Sequence, residues 1–442
     1  MAVASHPTPQ VAAATIAAPT ERPAEPARTS FYIPSLDGIR AISVLWVFTA
    51  HAGLASWGVP GNLGVTVFFF LSGYLITTLL RMEVDRSGGI NLTAFYLRRA
   101  LRIFPPMYVI LAVASVLCLV GALEGSLELD AVLAQVAHLS NYYIIAEGWW
   151  DGRAPGTWVY WSLAVEEHFY LVFPVFYLAL LRLVPSRRRQ MVLLLTICAL
   201  TLAWRFVLVL WLDASKDRTY IATDARVDSI LFGCVLAIYG NPALDQTRLT
   251  SRWLKFFWLP MGVMGLVLSI GIRQPQFQET LRYTMQGIAL VPLFIVAVRY
   301  PDWAPCRLLN LTCMKFIGAL SYSVYLMHTT VLFAVDTWTP WHPILKGTVS
   351  LGVSLLLATA MFYGIEKPCA ELRKRLSGSR RRRQQVAVAP PLPLPLPVPA
   401  LAPAPALPST SWVGSVSLDS VSRRNGSASP VGAAASVEGI TR

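Results

Sequence analysis

Charge is scarce in this sequence. Asp, Glu, Lys and Arg make up 14% of its 442 residues, against roughly 25% in ordinary soluble domains. Mean hydropathy is +0.52, and several apolar runs reach the roughly 20 residues that cross a bilayer as helix. A soluble domain is thereby excluded. Cysteine is sparse too. Cys118, Cys198, Cys234, Cys306, Cys313 and Cys369 are scattered within or beside apolar runs, with no CxxC pair and no His/Cys cluster. They read as small buried hydrophobes, so neither a disulfide framework nor a metal site is expected. The motif inventory is equally thin. There is no Walker-type phosphate loop, no GxSxG elbow, no HExxH and no dinucleotide fingerprint, which leaves ATP-driven pumps and soluble-type hydrolases without support. The net charge of +13 does not point to nucleic acid, because the basic residues lie between apolar runs and not on one compact domain.

What is present is a series of long apolar segments. Ten spans can be placed, at about 38–57, 62–81, 103–121, 160–181, 190–212, 226–240, 254–272, 283–299, 315–336 and 344–365. The stretch 131–146 is apolar but short, and it carries Gln135, His138, Ser140 and Asn141. Charge decides how to treat it. With the N-terminus inside and 131–146 not crossing, Arg98, Arg99, Arg102, Arg187 to Arg189, Arg248, Arg252 and Arg307 fall on the cytoplasmic side. The acid-rich segment 122–159 then falls outside, as the positive-inside tendency requires. The expectation is an all-α polytopic membrane protein of about ten transmembrane helices, both termini cytoplasmic, with 131–146 as a re-entrant or surface-lying helix. Residues 1–30 lack the basic start and apolar core of a signal peptide and read as a flexible leader. Residues 31–370 form the membrane domain. Residues 371–442 form a basic and then Pro/Ala-rich cytoplasmic tail, whose PPLPLPLPVPALAPAPALP tract favours extended polyproline without a packed core. Its basic run suits anionic lipid headgroups.

Ionisable residues inside the spans carry the functional signal, because such groups are costly in a bilayer and mark polar pathways or reaction centres. Arg40 and His51 lie eleven residues apart in span 1. Eleven steps of about 100° return to within roughly 20° of the same azimuth, about 16 Å along the axis. The two side chains therefore share a face, with the arginine near one membrane surface and the histidine deeper. A neutral imidazole accepts and donates protons, which suits His51 to general-base work. Asp37 is placed to cap that helix or pair with Arg40. In FYLRRALRIFPPMY, Arg98, Arg99 and Arg102 precede span 3, with Pro105 and Pro106 at its start. Clustered guanidiniums suit phosphate. In TWVYWSLAVEEHFYLVFP, Glu166 and Glu167 enter span 4, where at least one should face the bundle. In IGALSYSVYLMH, Ser321, Tyr322, Ser323, Tyr325 and His328 form a polar stripe, with interhelical hydrogen bonding as the plain role of the serines. Arg226 and Asp228 open span 6 as an ion pair or a contact to polar substrate. Arg205, Glu366 and Lys367 are weaker candidates. On composition alone a secondary transporter fits equally, although two related halves with interrupted helices are not visible.

The ordered set LDGIRAISVLWVFTAH, GVTVFFFLSGYLIT, FYLRRALRIFPPMY, TWVYWSLAVEEHFYLVFP, RVDSILFGCVLA and IGALSYSVYLMH resembles the acyltransferase 3 family of integral-membrane O-acyltransferases, over about residues 31–375. The resemblance implies transfer of an acyl group, usually acetyl, from acyl-CoA to a hydroxyl of a carbohydrate, glycoside or polyketide product. No tightly bound cofactor or metal is implied. It places the family's arginine-and-histidine motif on Arg40 and His51, its paired arginines on Arg99 and Arg102, and its glutamates on Glu166 and Glu167. His168 stands where many relatives carry glutamine. The expected assignment is His51 and Glu167 as catalytic residues and Arg40, Arg98, Arg99 and Arg102 on the acyl-CoA phosphates. Asp37, Glu166, Tyr322, His328 and Arg226 then support the site or meet the acceptor. A general base and an acyl-histidine both remain open for His51. The tail is too short and proline-rich for the appended SGNH-hydrolase-like domain of some members, and the expected location is the bacterial cytoplasmic membrane.

Overall fold

The structure is a computed structural model that describes residues 32–53, 60–150, 152–246 and 250–376. The expected leader and the tail beyond residue 376 lie outside the described residues. Ten long helices run through the described chain: α1 (Pro34–His51), α2 (Gly61–Ser87), α3 (Leu92–Leu119), α4 (Tyr160–Leu183), α5 (Arg187–Leu210), α6 (Thr223–Ile238), α7 (Ser251–Gly271), α8 (Leu281–Arg299), α9 (Thr312–Trp338) and α10 (Pro343–Leu376). Among the described residues there is no strand. The protein is an all-α polytopic membrane protein. Eight of these helices are long and apolar enough to cross a bilayer.

The two that fall short are α1 and α6. They carry Asp37 and Arg40, and Asp224, Arg226 and Asp228. Protein surrounds them instead of lipid: α1 packs between α2 and α9, and α6 between α2, α5 and α8. The apolar stretch of α2 is 83% buried, whereas that of α10 is 17% buried. So α2 stands in the middle of the bundle, and α10 offers its apolar side chains outward, as a lipid-facing helix must. Close packing at the centre depends on glycine. A Cβ on Gly73 would lie 2.0 Å from the Ile230 carbonyl oxygen, and one on Gly318 would lie 1.9 Å from that of Asp37. These glycines let α2 meet α6, and α9 meet α1, backbone to backbone.

Two boundaries differ from the expectation. Helix α1 ends at His51, followed by Gly53 at φ +82. His51 is thus the last residue of its helix and is exposed, not deep within a span. Helix α3 begins ten residues or more before Pro105, at an Asn91 cap whose side chain accepts from the Ala94 amide at 2.9 Å. Both prolines therefore sit inside the helix, where a membrane bundle tolerates them, and all three arginines are helical. The segment 131–146 forms two helices of eight residues each, Leu129–Val136 and Ser140–Glu147. Each is about 12 Å long, too short to span. His138 breaks them at φ +56.

Candidate active site

Helices α1, α2, α3, α4 and α9 surround a cavity of about 270 Å³. Three guanidiniums and two carboxyl groups line it: Arg40, Arg99, Arg102, Asp37 and Glu166. Positive charge is in excess. Asp37 does not cap α1; it pairs with Arg40 at 2.9 Å, one turn on. Arg99 lies over the Tyr170 ring, 4.8 Å from its centroid, in cation–π range. Arg102 makes neither a hydrogen bond nor an ion pair among the described residues. Arg99 likewise makes no hydrogen bond or ion pair among the described residues, so both guanidiniums keep donors for a ligand.

Helical register and ion pairing together decide which residues reach this cavity. Arg98 and Arg102, one turn apart, are expected on one face; instead Arg98 is held by Glu83, to which it donates at 2.9 Å, and the cavity is lined by Arg99 and Arg102. Arg98 thus leaves the expected phosphate-binding set. Likewise Glu166 and Glu167 differ by about 100° around α4. Glu166 faces the cavity, accepting from the Tyr170 hydroxyl at 3.2 Å. That hydroxyl is in turn bonded to Ser72 of α2. Glu167 does not line the cavity, and its Oε1 is buried without a partner. The carboxyl group at the cavity is therefore Glu166, not the Glu167 expected as catalytic. Tyr322 lines the cavity too, its hydroxyl donating to the Ile103 carbonyl at 2.7 Å. Ser72 and Tyr170 are lining residues to which the sequence reading gives no role, and Tyr325 reads there only as part of a polar stripe. The one local signal was Tyr170, four residues after Glu166 and so on its face.

His51 is not in the lining. The expected common conduit for Arg40 and His51 is closed at Tyr325, which lines the cavity while its hydroxyl lies 2.5 Å from Ser162 and its ring packs edge-on against Phe68. Beyond Tyr325 sit two imidazoles. His328 Nε2 lies 3.1 Å from His51 Nδ1, and His328 Nδ1 donates to the Tyr325 carbonyl at 2.8 Å. Residues 277 apart in sequence thus form one pair, because Gly318 lets α9 lie flat on α1.

Arg226 is elsewhere. It is fully buried, donates to Tyr220 and Thr66, and stacks 3.8 Å over the Tyr283 ring. Asp228 is not its partner. Asp228 accepts from both guanidinium nitrogens of Arg205, at 3.0 and 2.7 Å, and both side chains are fully buried. This bidentate pair ties α5 to α6 and is part of the fold, not of the cavity. His168 bonds Thr223 at 2.7 Å and stacks on Tyr142.

Comparison with known proteins decides the class. A family described as an acyltransferase domain matches residues 33–363. The chain belongs to that family. The match takes in every residue of the cavity but Tyr32. Two curated relatives, both named O-acetyltransferase OatA, come from Staphylococcus aureus strains NCTC 8325 / PS 47 and COL. Each is 29% identical over 349 residues, covering 76% of this chain and 57% of the relative. The chain thus spans a little over half the length of these relatives. No solved structure matches it.

Proposed function

We propose that the protein is a membrane O-acyltransferase moving an acyl group, acetyl foremost, from acyl-CoA to a hydroxyl of a carbohydrate, a glycoside or a polyketide product. Family membership supports acyl transfer, and the names of the relatives support an oxygen acceptor and an acetyl group. One observation carries the reading: Arg40, Arg99 and Arg102, from two helices, converge on a cavity that ends beside an imidazole pair. Guanidiniums suit the phosphates of a CoA donor by charge and by bidentate geometry. From there the acyl-pantetheine arm reaches toward His51, over an axial rise of about 16 Å, once the Tyr325 side chain that closes the cavity swings aside. The exposed side of His51 is where an acceptor hydroxyl meets it.

In the transfer, His51 takes the hydroxyl proton as the oxygen attacks the thioester carbonyl. The C–O bond forms, the C–S bond breaks, and the proton passes to the departing thiolate. Ester and free CoA result. Glu166 and Tyr170 hold Arg99 in place. CoA is a co-substrate here. The setting we infer is the cytoplasmic membrane of a bacterium, consistent with the staphylococcal relatives.

The test is purified protein in detergent, given labelled acetyl-CoA and a panel of simple glycosides. Acceptor-dependent CoA release, with label in an alkali-labile ester, is the expected result. No CoA release, together with movement of a labelled polar solute by the same protein in vesicles, would replace the reading with transport.

A further inference from the structure

We propose that His328 is a positioning residue that fixes which nitrogen of His51 is free to accept a proton. The inference rests on the reading of His51 as the base and adds an atom and a residue to it. His328 is fully buried. Its Nδ1 faces the Tyr325 carbonyl oxygen at 2.8 Å. A carbonyl only accepts, so that nitrogen carries the hydrogen. Among the described residues no carboxylate bonds to either ring, so the buried imidazole is neutral and its Nε2 is an acceptor. That Nε2 lies 3.1 Å from His51 Nδ1. His51 must then donate, which puts its own hydrogen on Nδ1. The unshared pair is left on His51 Nε2; the ring also faces the Val47 carbonyl one turn back in α1, which like His328 Nε2 can only accept a hydrogen. The other tautomer of His51 would set two lone pairs face to face at the same distance.

The backbone around His328 is held to keep this geometry. Thr330 donates to the Pro155 carbonyl at 3.1 Å, and Thr329 bonds that of Gly156. A Cβ on Gly156 would fall 2.2 Å from the Thr330 nitrogen, and the residue takes φ +79. Only glycine lets the loop press on this turn of α9. Phe48 and Tyr325 flank the His328 ring at centroid distances of 6.1 and 5.7 Å. When His51 Nε2 gains the acceptor's proton, the Nδ1 hydrogen stays bonded to His328, a neutral acceptor that steadies the imidazolium until the thiolate takes the proton. This is the orienting task a carboxylate performs in a serine-hydrolase triad, here done by a ring whose own tautomer is set by the main chain.

Two variants and one spectrum test it. In His328→Gln the side-chain amide can donate to the Tyr325 carbonyl and accept from His51 Nδ1; in His328→Leu it can do neither. ¹⁵N NMR of histidine-labelled protein in membranes, with the His51 signals assigned by their loss in His51→Ala, should show a protonated Nδ1 and an unprotonated Nε2. With acetyl-CoA and glycoside, His328→Leu should lower kcat about 10- to 100-fold, a part of what a positioned base contributes. KM for acetyl-CoA should stay within about twofold, and His328→Gln should recover most of kcat. A His51 hydrogen on Nε2 in the wild type, wild-type kcat in His328→Leu, or equal losses in Leu and Gln at equal protein levels would each overturn the proposal. Full activity of His51→Ala would remove the base reading itself; the spectrum would still decide the tautomer.

Discussion

The two ends of α1 are built on opposite principles. At the Arg40 end, charge is plentiful and only partly neutralised: one guanidinium is paired with Asp37, one lies on Tyr170, and Arg102 makes no ion pair among the described residues. Such a site attracts a polyanion and tolerates some misplacement, because Coulomb attraction falls off slowly in a low-dielectric cavity. At the His51 end there is no formal charge. Two neutral rings and a main-chain carbonyl set one hydrogen in one place. The first end suits binding and the second suits chemistry. A single rigid helix fixes the distance between them.

The sharpest way to break that contrast is at the chemical end. His51→Ala should lower kcat at least about 100-fold, the usual contribution of a positioned general base, while leaving KM for acetyl-CoA nearly unchanged. Single-substrate kinetics on membranes with matched protein content would show it. A large KM change instead would mean that His51 belongs to donor binding, and the division between the ends would fail.

The binding end predicts the reverse pattern. Arg102→Ala should raise KM for acetyl-CoA by about 10- to 100-fold, equivalent to the roughly 1.5–3 kcal/mol of a charge-assisted hydrogen bond, with a smaller change in kcat. Arg102→Lys should recover only part of it, since an ammonium lacks the planar fork. High salt should weaken the wild-type advantage, because the outer part of this cluster is open to screening. A kcat effect as large as that of His51→Ala would sink the assignment.

Both ends depend on α9 lying against α1, and Gly318 is where the two backbones touch. A methyl there would sit 1.9 Å from the Asp37 carbonyl oxygen. Gly318→Ala should cost about 1–3 kcal/mol of stability through overpacking and disturb kcat and KM together. Thermal unfolding in detergent, followed with steady-state kinetics, would separate this shared effect from the selective ones above.

How far the sequence could be read follows from the range of the interactions. Eight helices announce themselves by hydropathy, which is a local property. Helices α1 and α6 fall short by that measure, since protein covers their charges, although their apolar runs are still placed as spans. The helical period puts Arg40 on the face of His51 and Arg98 on that of Arg102, whereas the pair Arg99 and Arg102 comes from the family resemblance. The choice between Glu166 and Glu167 could not be read, because it depends on where α2 and α3 stand around α4. The Ser72–Tyr170 bond and the His51–His328 pair join residues 98 and 277 apart, and no local pattern encodes such meetings. The pairing of Asp228 with Arg205 was missed for the same reason: the nearer arginine in sequence, Arg226, is not the nearer one in space.

The smallest effect concerns the arginine that looked equivalent to its neighbours. Arg98 is about one-third exposed and already paired with Glu83. Exposed pairs of that kind contribute roughly 1 kcal/mol or less. Arg98→Ala should therefore leave kcat unchanged and move KM for acetyl-CoA less than about threefold. Measured beside Arg99→Ala and Arg102→Ala at one ionic strength, it separates two accounts of the cluster. If binding depended only on the number of positive charges near the membrane surface, all three substitutions would weaken it alike. If it depends on which guanidiniums line the cavity, Arg98, held by Glu83, stands apart, and the cavity lining, not net charge, defines the donor site.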